Sequence, residues 1–334
     1  MKRRAPSLWA GMLVVAVVGL LSAACGGGTP TPTPLPTATA TPRSTPLPEV
    51  PTAVPLASEE RPLTVLMVPQ GARREAVPAA DSLEALIAEL TGLRVEIQLA
   101  DSYGQIVAQL CSATPVAGWL DGFALVAAEA AGCADPALQV VRSRRAGFQV
   151  EMLLSAEFAG DEVSADDLAR LAGRRVCRAT DEDAAWLAAE MILRAAGINP
   201  VSDLEAIVDV ENYDTVVTSL YNGDCQGGVV PSGYLRSGAG EAVRALEGLA
   251  DRVVSVSESP LIPYNVLVYP PTVPLHIRIP LSDVFLQIAA DASRADALAG
   301  ILQQDSLERV TAESFAAFRR FTQASGLDFV ALGE

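Results

Sequence analysis

Short apolar runs alternate with amphipathic helical segments along most of this chain, and this alternation limits the possible folds more than any other feature. The runs read as buried parallel strands, and the segments between them place apolar residues at helical spacing. The predicted strands span 63–68, 95–99 and 116–120 in a first series, and 149–155, 175–178, 206–210 and 226–230 in a second. Two such series predict an α/β protein with two lobes, in which ligands bind at the carboxyl ends of the strands and between the lobes.

The chain continues after the second series with further elements of both kinds. They are strands at 253–256 and 266–269 and helices at 284–290 and 312–325. Helix boundaries are marked by Ser102 and Ser164 at predicted starts and by Gly92 and Gly197 at predicted ends.

The first 24 residues have the layout of a signal peptide. A positive start is followed by an apolar run from Leu8 to Leu21, which is shorter than the roughly 18 residues that a spanning helix needs. Small residues stand directly before Cys25, and the pattern resembles a bacterial lipoprotein signal, which implies a lipidated Cys25. An uncleaved anchor helix, or a secreted protein in which Cys25 is incidental, is the alternative.

Residues 25–60 are rich in threonine and proline. Proline removes backbone donors, and the segment has few apolar side chains, so we expect a disordered, semi-extended stalk. The stalk would hold a folded domain clear of the membrane. These features together predict an extracytoplasmic protein, anchored by lipid to the outer face of the cell membrane.

The remaining chain is large enough for two lobes, and half of the whole sequence is hydrophobic. The net charge of −16 argues against nucleic acids and anionic lipid surfaces as partners.

Four cysteines besides Cys25 stand in the body of the chain, at positions 111, 133, 177 and 225. None of them forms a C-x-x-C pair, so a zinc site is not expected. An even number in an oxidising compartment predicts two disulfides. We favour Cys111–Cys133, which flank the third strand–helix unit, and Cys177–Cys225, which lie in or beside strands expected to be neighbours. Four buried free thiols are the alternative.

Several stretches, taken in order, resemble the phosphate/phosphonate-type family of periplasmic substrate-binding proteins, the receptors of ABC importers. The stretches are Ser102–Leu110 (SYGQIVAQL), Gly118–Phe123 (GWLDGF), Tyr213–Gly228 and Ser257–Asn265 (SESPLIPYN). The similarity spans nearly all of residues 61–332. It implies a type 2 periplasmic-binding fold, in which two mostly parallel, doubly wound lobes close over a ligand by hinge motion.

The resemblance also implies how the chain is divided. Lobe 1 would consist of residues 61–146 and 257–334, and lobe 2 of residues 147–256, with crossing segments near 145–149 and 256–263. The partners would be a small-molecule ligand and an ABC permease, and we expect a monomer without a cofactor or metal.

The family places an anion on a Ser/Thr-rich turn at a helix start in the second lobe, where free N–H groups attract negative charge. Here that turn contains Thr180 followed by Asp181, Glu182 and Asp183, so only one hydroxyl is kept. Tyr213 stands where the family usually has a histidine. Carboxylates would repel a phosphonate, so the acidic residues indicate either ordinary helix capping, or a zwitterionic or cationic ligand, or a site that has lost its ligand.

Position along the strands adds further candidate ligand contacts. These residues follow predicted strands, begin helices or enter the second lobe, and they are Gln70, Tyr103, Asp121, Gly122, Phe123, Gln149 and Ser232. Aromatic members could form a wall around the ligand or simply pack between lobes.

Catalysis is not expected. The single histidine, His276, lies in an apolar setting, and the sequence has no G-x-S-x-G, H-E-x-x-H or P-loop motif. The prediction is therefore a lipid-anchored solute-binding receptor of an ABC importer. A ligand-sensing module that contacts a signalling partner is the first alternative, and a hydrolase on the same scaffold is the second.

Overall fold

The computed structural model describes residues 53–160, 162–180 and 182–329. The predicted signal peptide, Cys25, most of the predicted stalk and the candidate ligand contact Asp181 lie outside these ranges. Within them, no helix combines the length and the apolar character that crossing a membrane requires.

Strands and helices alternate through most of the described chain. The strands are β1 (Leu63–Met67), β2 (Val95–Leu99), β3 (Val116–Leu120), β4 (Asp135–Val141), β5 (Gly147–Phe148), β6 (Val150–Ser155), β7 (Arg175–Ala179), β8 (Ala206–Val210), β9 (Gly227–Pro231), β10 (Val253–Glu258), β11 (Ile262–Pro263), β12 (Val266–Tyr269) and β13 (Ser306–Arg309). The α-helices are α1 (Arg73–Thr91), α2 (Tyr103–Leu110), α3 (Gly122–Ala130), α4 (Asp183–Ala195), α5 (Tyr213–Asn222), α6 (Glu241–Arg244), α7 (Leu249–Arg252), α8 (Leu275–Ala290), α9 (Asp296–Leu302) and α10 (Ala316–Ser325). Tighter 3₁₀ turns cover Ala156–Phe158, Ala165–Leu171 and Ala312–Phe315, and Tyr234–Gly238 is a π-helical turn.

Local sequence explains where several helices begin and end. The Ser102 side chain caps α2 by accepting from the Gln105 N–H at 3.3 Å, and Asn212 caps α5 by accepting from the Thr215 N–H at 2.9 Å. Helix α1 ends at Gly92, whose φ of 74° is a left-handed conformation that glycine adopts without strain. Of these signals, Ser102 and Gly92 marked helix boundaries in the sequence, whereas the cap at Asn212 was not predicted.

The first sheet has the strand order β13-β4-β12-β3-β1-β2. Strands β1, β2 and β3 are parallel, whereas β12 runs antiparallel to β3 and β4, and β13 runs antiparallel to β4. Four of these six strands therefore point the same way, which confirms the prediction of a mostly parallel sheet. Apolar side chains pack on both faces of this sheet. The strand β3 is buried at every position for this reason.

The second sheet has the order β10-β6-β9-β7-β8. Strands β7, β8 and β9 are parallel, β6 is antiparallel to β9, and β10 is antiparallel to β6. Four of these five strands share one direction.

A short two-stranded ladder lies where the chain passes from the first sheet to the second and back. Strands β5 and β11 pair antiparallel, with Ile262 opposite Phe148 and Pro263 opposite Gly147. The Tyr264 N–H also donates to the Ala146 carbonyl at 3.1 Å. The two connecting segments thus hold each other side by side, near the positions predicted for the crossings.

Some elements of the structure were not predicted from the sequence, and others are longer than predicted. Strands β4 and β13 were not predicted, because β4 contains Pro136 and β13 is a mostly exposed, polar edge strand without an apolar pattern. Helix α8 begins at Leu275 and continues through Pro280, so it is longer than the predicted helix at 284–290. Helix α1 likewise continues through a proline, Pro78.

Both favoured disulfides are present. Cys111 pairs with Cys133 and Cys177 pairs with Cys225, with Cα–Cα distances of 5.0 and 5.9 Å. The second pairing has the expected basis, because Cys177 on β7 lies opposite Gly228 on the neighbouring strand β9.

The C-terminal helix α10 contacts elements of both sheets. It packs against α4 of the second sheet, and its Phe318 ring lies 5.6 Å from the Phe123 ring on α3 of the first. Arg319 forms a 3.2 Å ion pair with Glu129, also on α3. The helix therefore ties the two halves of the fold together, and its Phe318 shares a buried cluster with Ile262 of the β5–β11 ladder.

Candidate functional site

A hydrogen-bonded polar cluster lies at the carboxyl end of β1. Gln70 follows that strand, Tyr103 is the first residue of α2, and Asn265 directly precedes β12. The Tyr103 hydroxyl accepts from Gln70 Nε2 and from Asn265 Nδ2, both at 2.7 Å. Within the described chain no hydrogen bond donated by the Tyr103 hydroxyl is found, so its own hydrogen is available to a ligand.

Arg142 fixes the orientation of both amides. Its guanidinium donates to Asn265 Oδ1 at 3.0 Å and lies 3.5 Å from Gln70 Oε1. It is itself held by the Leu302 carbonyl at 2.8 Å and by the Tyr264 ring, whose centroid is 4.7 Å away. With both amide oxygens turned toward Arg142, both amide nitrogens point to Tyr103.

Asp121 brings a carboxylate to the same region. It caps α3 by accepting from the Ala124 N–H at 2.7 Å. Burial raises the pKa of Asp121 to about 6, although the backbone N–H groups of Ala124 and Phe123 act in the opposite direction. Burial, and next the charge of Asp121, raise the pKa of Tyr103 to about 12, so its hydroxyl stays protonated at neutral pH.

The two candidates that follow Asp121 are buried. An added Cβ on Gly122 would stand 2.9 Å from Pro263 Cδ and Cγ and 3.0 Å from the Pro263 carbonyl oxygen, so glycine lets the second crossing segment approach the start of α3. The Phe123 ring is 8% exposed and packs between Phe318 and Phe329.

A shallow pocket of about 160 Å³ lies at the carboxyl ends of β7 and β8 in the second sheet. It is lined in part by Thr180, Glu182 and Asp183, and by Asp209, which pairs with Arg178 at 2.5 Å. The Thr180 hydroxyl donates to the Val210 carbonyl at 2.9 Å and is therefore already occupied. Among the described lining residues, three carboxylates face one arginine that is itself paired.

Tyr213 belongs to the same region. Burial first, and then the charge and hydrogen bond of Glu182, raise the pKa of Tyr213 well above its usual value. Its ring lies 5.6 Å from that of Tyr234, whose hydroxyl donates to Asp214 Oδ1 at 2.7 Å. Thr180 and Glu182, which were predicted on one turn, thus lie together with the separately predicted Tyr213 at the starts of α4 and α5.

The remaining two candidates line a larger pocket of about 580 Å³. Gln149 Nε2 donates to the Ser259 carbonyl at 2.9 Å, and the Ser232 hydroxyl donates to the Glu258 carboxylate. The other polar side chains of the pocket are Arg144, Arg145, Arg236 and Ser237.

Sequence reasoning missed Arg142, Asn265 and the three arginines of the larger pocket. Asn265 stood in the SESPLIPYN stretch, whose last position directly precedes a predicted strand, and that position was a usable signal. Arg142 directly follows β4, which was not predicted, so nothing marked it as a residue at the end of a strand. No group of histidine, cysteine, aspartate or glutamate side chains in the described ranges could hold a metal ion.

A family model matches most of this chain. A sequence model described as the periplasmic substrate-binding protein of phosphonate ABC transporters matches residues 65–315, which is 251 of the 334 residues. Proteins of this family are extracytoplasmic binding components of importers and not enzymes, and they imply a small-molecule ligand and an ABC permease as partners. A comparison with curated proteins found no match.

Solved structures agree on the fold. XAC2383 from Xanthomonas citri, bound to ATP, is 16% identical with a TM-score of 0.54, covering 79% of this chain and 96% of its own. The Mycoplasma hyorhinis protein Mh-p37 is 11% identical with a TM-score of 0.51, covering 79% and 98%. The family match shows that this chain belongs to the periplasmic substrate-binding proteins of phosphonate ABC transporters.

Proposed function

We propose that this protein is a lipid-anchored receptor that binds a small zwitterion of the aminophosphonate class and delivers it to an ABC permease. The observation that carries the proposal is the Tyr103 hydroxyl, which accepts two amide hydrogen bonds and keeps its own hydrogen free. A donor held in place before binding loses little entropy when a ligand oxygen reaches it.

The charge of the second-sheet pocket supports a ligand with a positive group. Glu182 and Asp183 line it at the start of α4, and Asp209 already neutralises Arg178. Asp121 supplies a further carboxylate beside Tyr103. An amine would be attracted to these groups, whereas a phosphate without a positive group would be repelled.

Lipid anchoring is supported by the sequence around Cys25 and by the stalk that follows it. Replacing Cys25 by serine should move the protein from the membrane fraction to the soluble fraction of expressing cells. A Cys25→Ser protein that stays in the membrane fraction would contradict this part of the proposal.

A thermal-shift screen of the protein tests the ligand class. The panel contains phosphate, methylphosphonate, 2-aminoethylphosphonate, simple amines and carboxylate zwitterions. A ligand at about 100 times its Kd stabilises the folded state by about 2.7 kcal/mol, so the zwitterion should raise the Tm clearly. Recovery of the compound unchanged after incubation would distinguish a receptor from a hydrolase.

Variants of the acidic turn test whether its carboxylates select the ligand. Replacing Asp181 and Glu182 by serine should weaken binding of the aminophosphonate and strengthen binding of methylphosphonate. The double variant Glu308→Ser/Glu313→Ser, which removes two exposed carboxylates far along the chain, serves as the matched charge control. Unchanged affinities for both compounds in the double variant, or no stabilisation by any zwitterion, would overturn the proposed ligand class.

A further inference from the structure

Three arginines without acidic partners converge on the 580 Å³ pocket beside the crossing segments. Arg144 and Arg145 come from the turn that leads out of the first sheet, and Arg236 comes from the π-helical turn after β9. Within the described chain none of the three forms an ion pair, although many other arginines of this acidic protein do. All three side chains are exposed, so water and salt screen their mutual repulsion, but an anion placed between them would be attracted by each.

The turn that presents Arg144 has an unusual backbone. Arg142 and Arg145 exchange two backbone hydrogen bonds of 2.9 Å, and the two residues between them, Ser143 and Arg144, have φ values of 49° and 62°. This is a two-residue turn of a type that favours asparagine and glycine. A serine and an arginine in these positions indicate that the arginine side chain has a use there.

The turn that presents Arg236 after β9 also has an unusual backbone. Gly233 has a φ of 75°, and a Cβ on it would stand 3.1 Å from the nearest Arg236 guanidinium nitrogen. The guanidinium therefore lies over the glycine backbone. A π-helical turn such as Tyr234–Gly238 is rare and is often found at functional sites.

The other polar side chains of the pocket are occupied. Gln149 donates to the Ser259 carbonyl, Ser232 to Glu258 and Ser237 to the Gly233 carbonyl. The donors left for a ligand are the second N–H of Gln149 and the guanidinium groups, and the guanidinium groups match the oxygens of phosphate and phosphonate in charge and geometry.

We infer that Arg144, Arg145 and Arg236 form a binding site for a phosphate or phosphonate group, separate from the acidic turn at the start of α4. The inference rests on the proposed function for the identity of the natural ligand, but not for the existence of the site. Because two arginines lie on a crossing segment and the third on the second sheet, a bound anion also favours one orientation of that segment relative to the sheet.

Calorimetric titration of the protein with inorganic phosphate, in chloride buffer at fixed ionic strength, tests the site. Arg145→Gln and Arg236→Gln should each weaken phosphate binding roughly tenfold. Arg320→Gln removes an exposed arginine on α10, for which no ion pair is found among the residues that the structure describes, and should leave the Kd unchanged. The double variant Ser143→Asn/Arg144→Gly keeps a sequence that suits the turn while removing a guanidinium, and it should bind phosphate as weakly as the single variants.

The outcomes of the phosphate titration distinguish failure of the arginine site from failure of the proposed function. Absence of phosphate binding in the unaltered protein, or equal binding by Arg145→Gln, Arg236→Gln and the unaltered protein, overturns the inference. If these variants bind phosphate normally while a zwitterion still requires Tyr103, only the arginine site falls. If the arginine variants lose phosphate and no compound of the panel depends on Tyr103, the arginine site stands and the proposed function falls.

Discussion

Asn265 Nδ2 donates to the Tyr103 hydroxyl at 2.7 Å, and this contact joins two parts of the chain that are 162 residues apart. Tyr103 begins a helix after the second strand, and Asn265 begins the return into the first sheet. The bond exists because the first sheet is completed by β12, which inserts between β3 and β4. The candidate site is therefore assembled only when the late return segment is in place.

Arg142→Lys should disturb this cluster more than its conservative character suggests. A lysine ammonium cannot reach Asn265 Oδ1, the Leu302 carbonyl and the Tyr264 ring together, so both amides lose their fixed orientation. We expect a loss of about 1–3 kcal/mol in the free energy of unfolding, measured by denaturant titration. Arg174→Lys, at an exposed arginine that stacks on Phe158, should cost less than about 1 kcal/mol. Equal losses in the two variants would contradict the role of Arg142.

Asp121→Asn should stabilise the protein more at pH 7.5 than at pH 4.5. The folded-state pKa of Asp121 is raised to about 6, above its ordinary value of 3.8, so the folded state binds the proton more tightly than the unfolded state does. As the pH rises through this window, the buried carboxylate ionises and stability is lost. Asparagine keeps an oxygen that can cap α3 but does not ionise, so it avoids that loss.

Asp203→Asn is the matched control for this pH dependence. Backbone and serine hydrogen bonds lower the pKa of Asp203, so it is ionised in both states across the same window. Its substitution should change stability by nearly the same amount at both pH values. A stabilisation by Asp121→Asn that is independent of pH would show that burial of this carboxylate is not costly.

The two disulfides should respond differently to reduction. Cys177 and Cys225 are fully buried, whereas Cys111 is exposed, so a mild reductant should open Cys111–Cys133 first. Alkylation followed by mass spectrometry identifies the opened pair. Simultaneous opening of both pairs in the folded protein would contradict the burial of Cys177–Cys225.

Removing the cysteines by mutation gives a second comparison. The pairs close loops of 22 and 48 residues, and the chain-entropy model assigns them about 3.4 and about 4.1 kcal/mol. Replacing Cys177 and Cys225 by alanine should therefore cost slightly more stability than replacing Cys111 and Cys133.

The fold could be predicted from the sequence because local patterns determine most of it. Apolar runs such as Val116–Leu120 and capped helices such as Tyr213–Asn222 have the boundaries that periodicity and capping residues indicate. Strand β13 could not be found in this way, since its residues are stabilised by pairing with β4 and not by an apolar pattern of their own.

The candidate site was only partly predictable, for a related reason. Gln70 and Tyr103 follow recognisable strands, and the rule that ligands bind at strand ends was enough to select them. Arg142 lies beyond a strand that pairs with distant partners, and the arginine pocket depends on turn conformations at Ser143, Arg144 and Gly233. Contacts and backbone angles of that kind are set by tertiary structure. Asp181 lies outside the described residues, so its part in binding stays a prediction.

The most direct test of the account is the affinity of the Tyr103→Phe variant for the zwitterion that most stabilises the unaltered protein. Phenylalanine removes only the hydroxyl, so isothermal titration should show binding weakened about tenfold or more. Tyr221→Phe, which removes a hydroxyl that donates to the Glu247 carbonyl at the surface, should bind as the unaltered protein does. Equal affinities of Tyr103→Phe and Tyr221→Phe for that ligand would contradict the placement of the binding site at Tyr103.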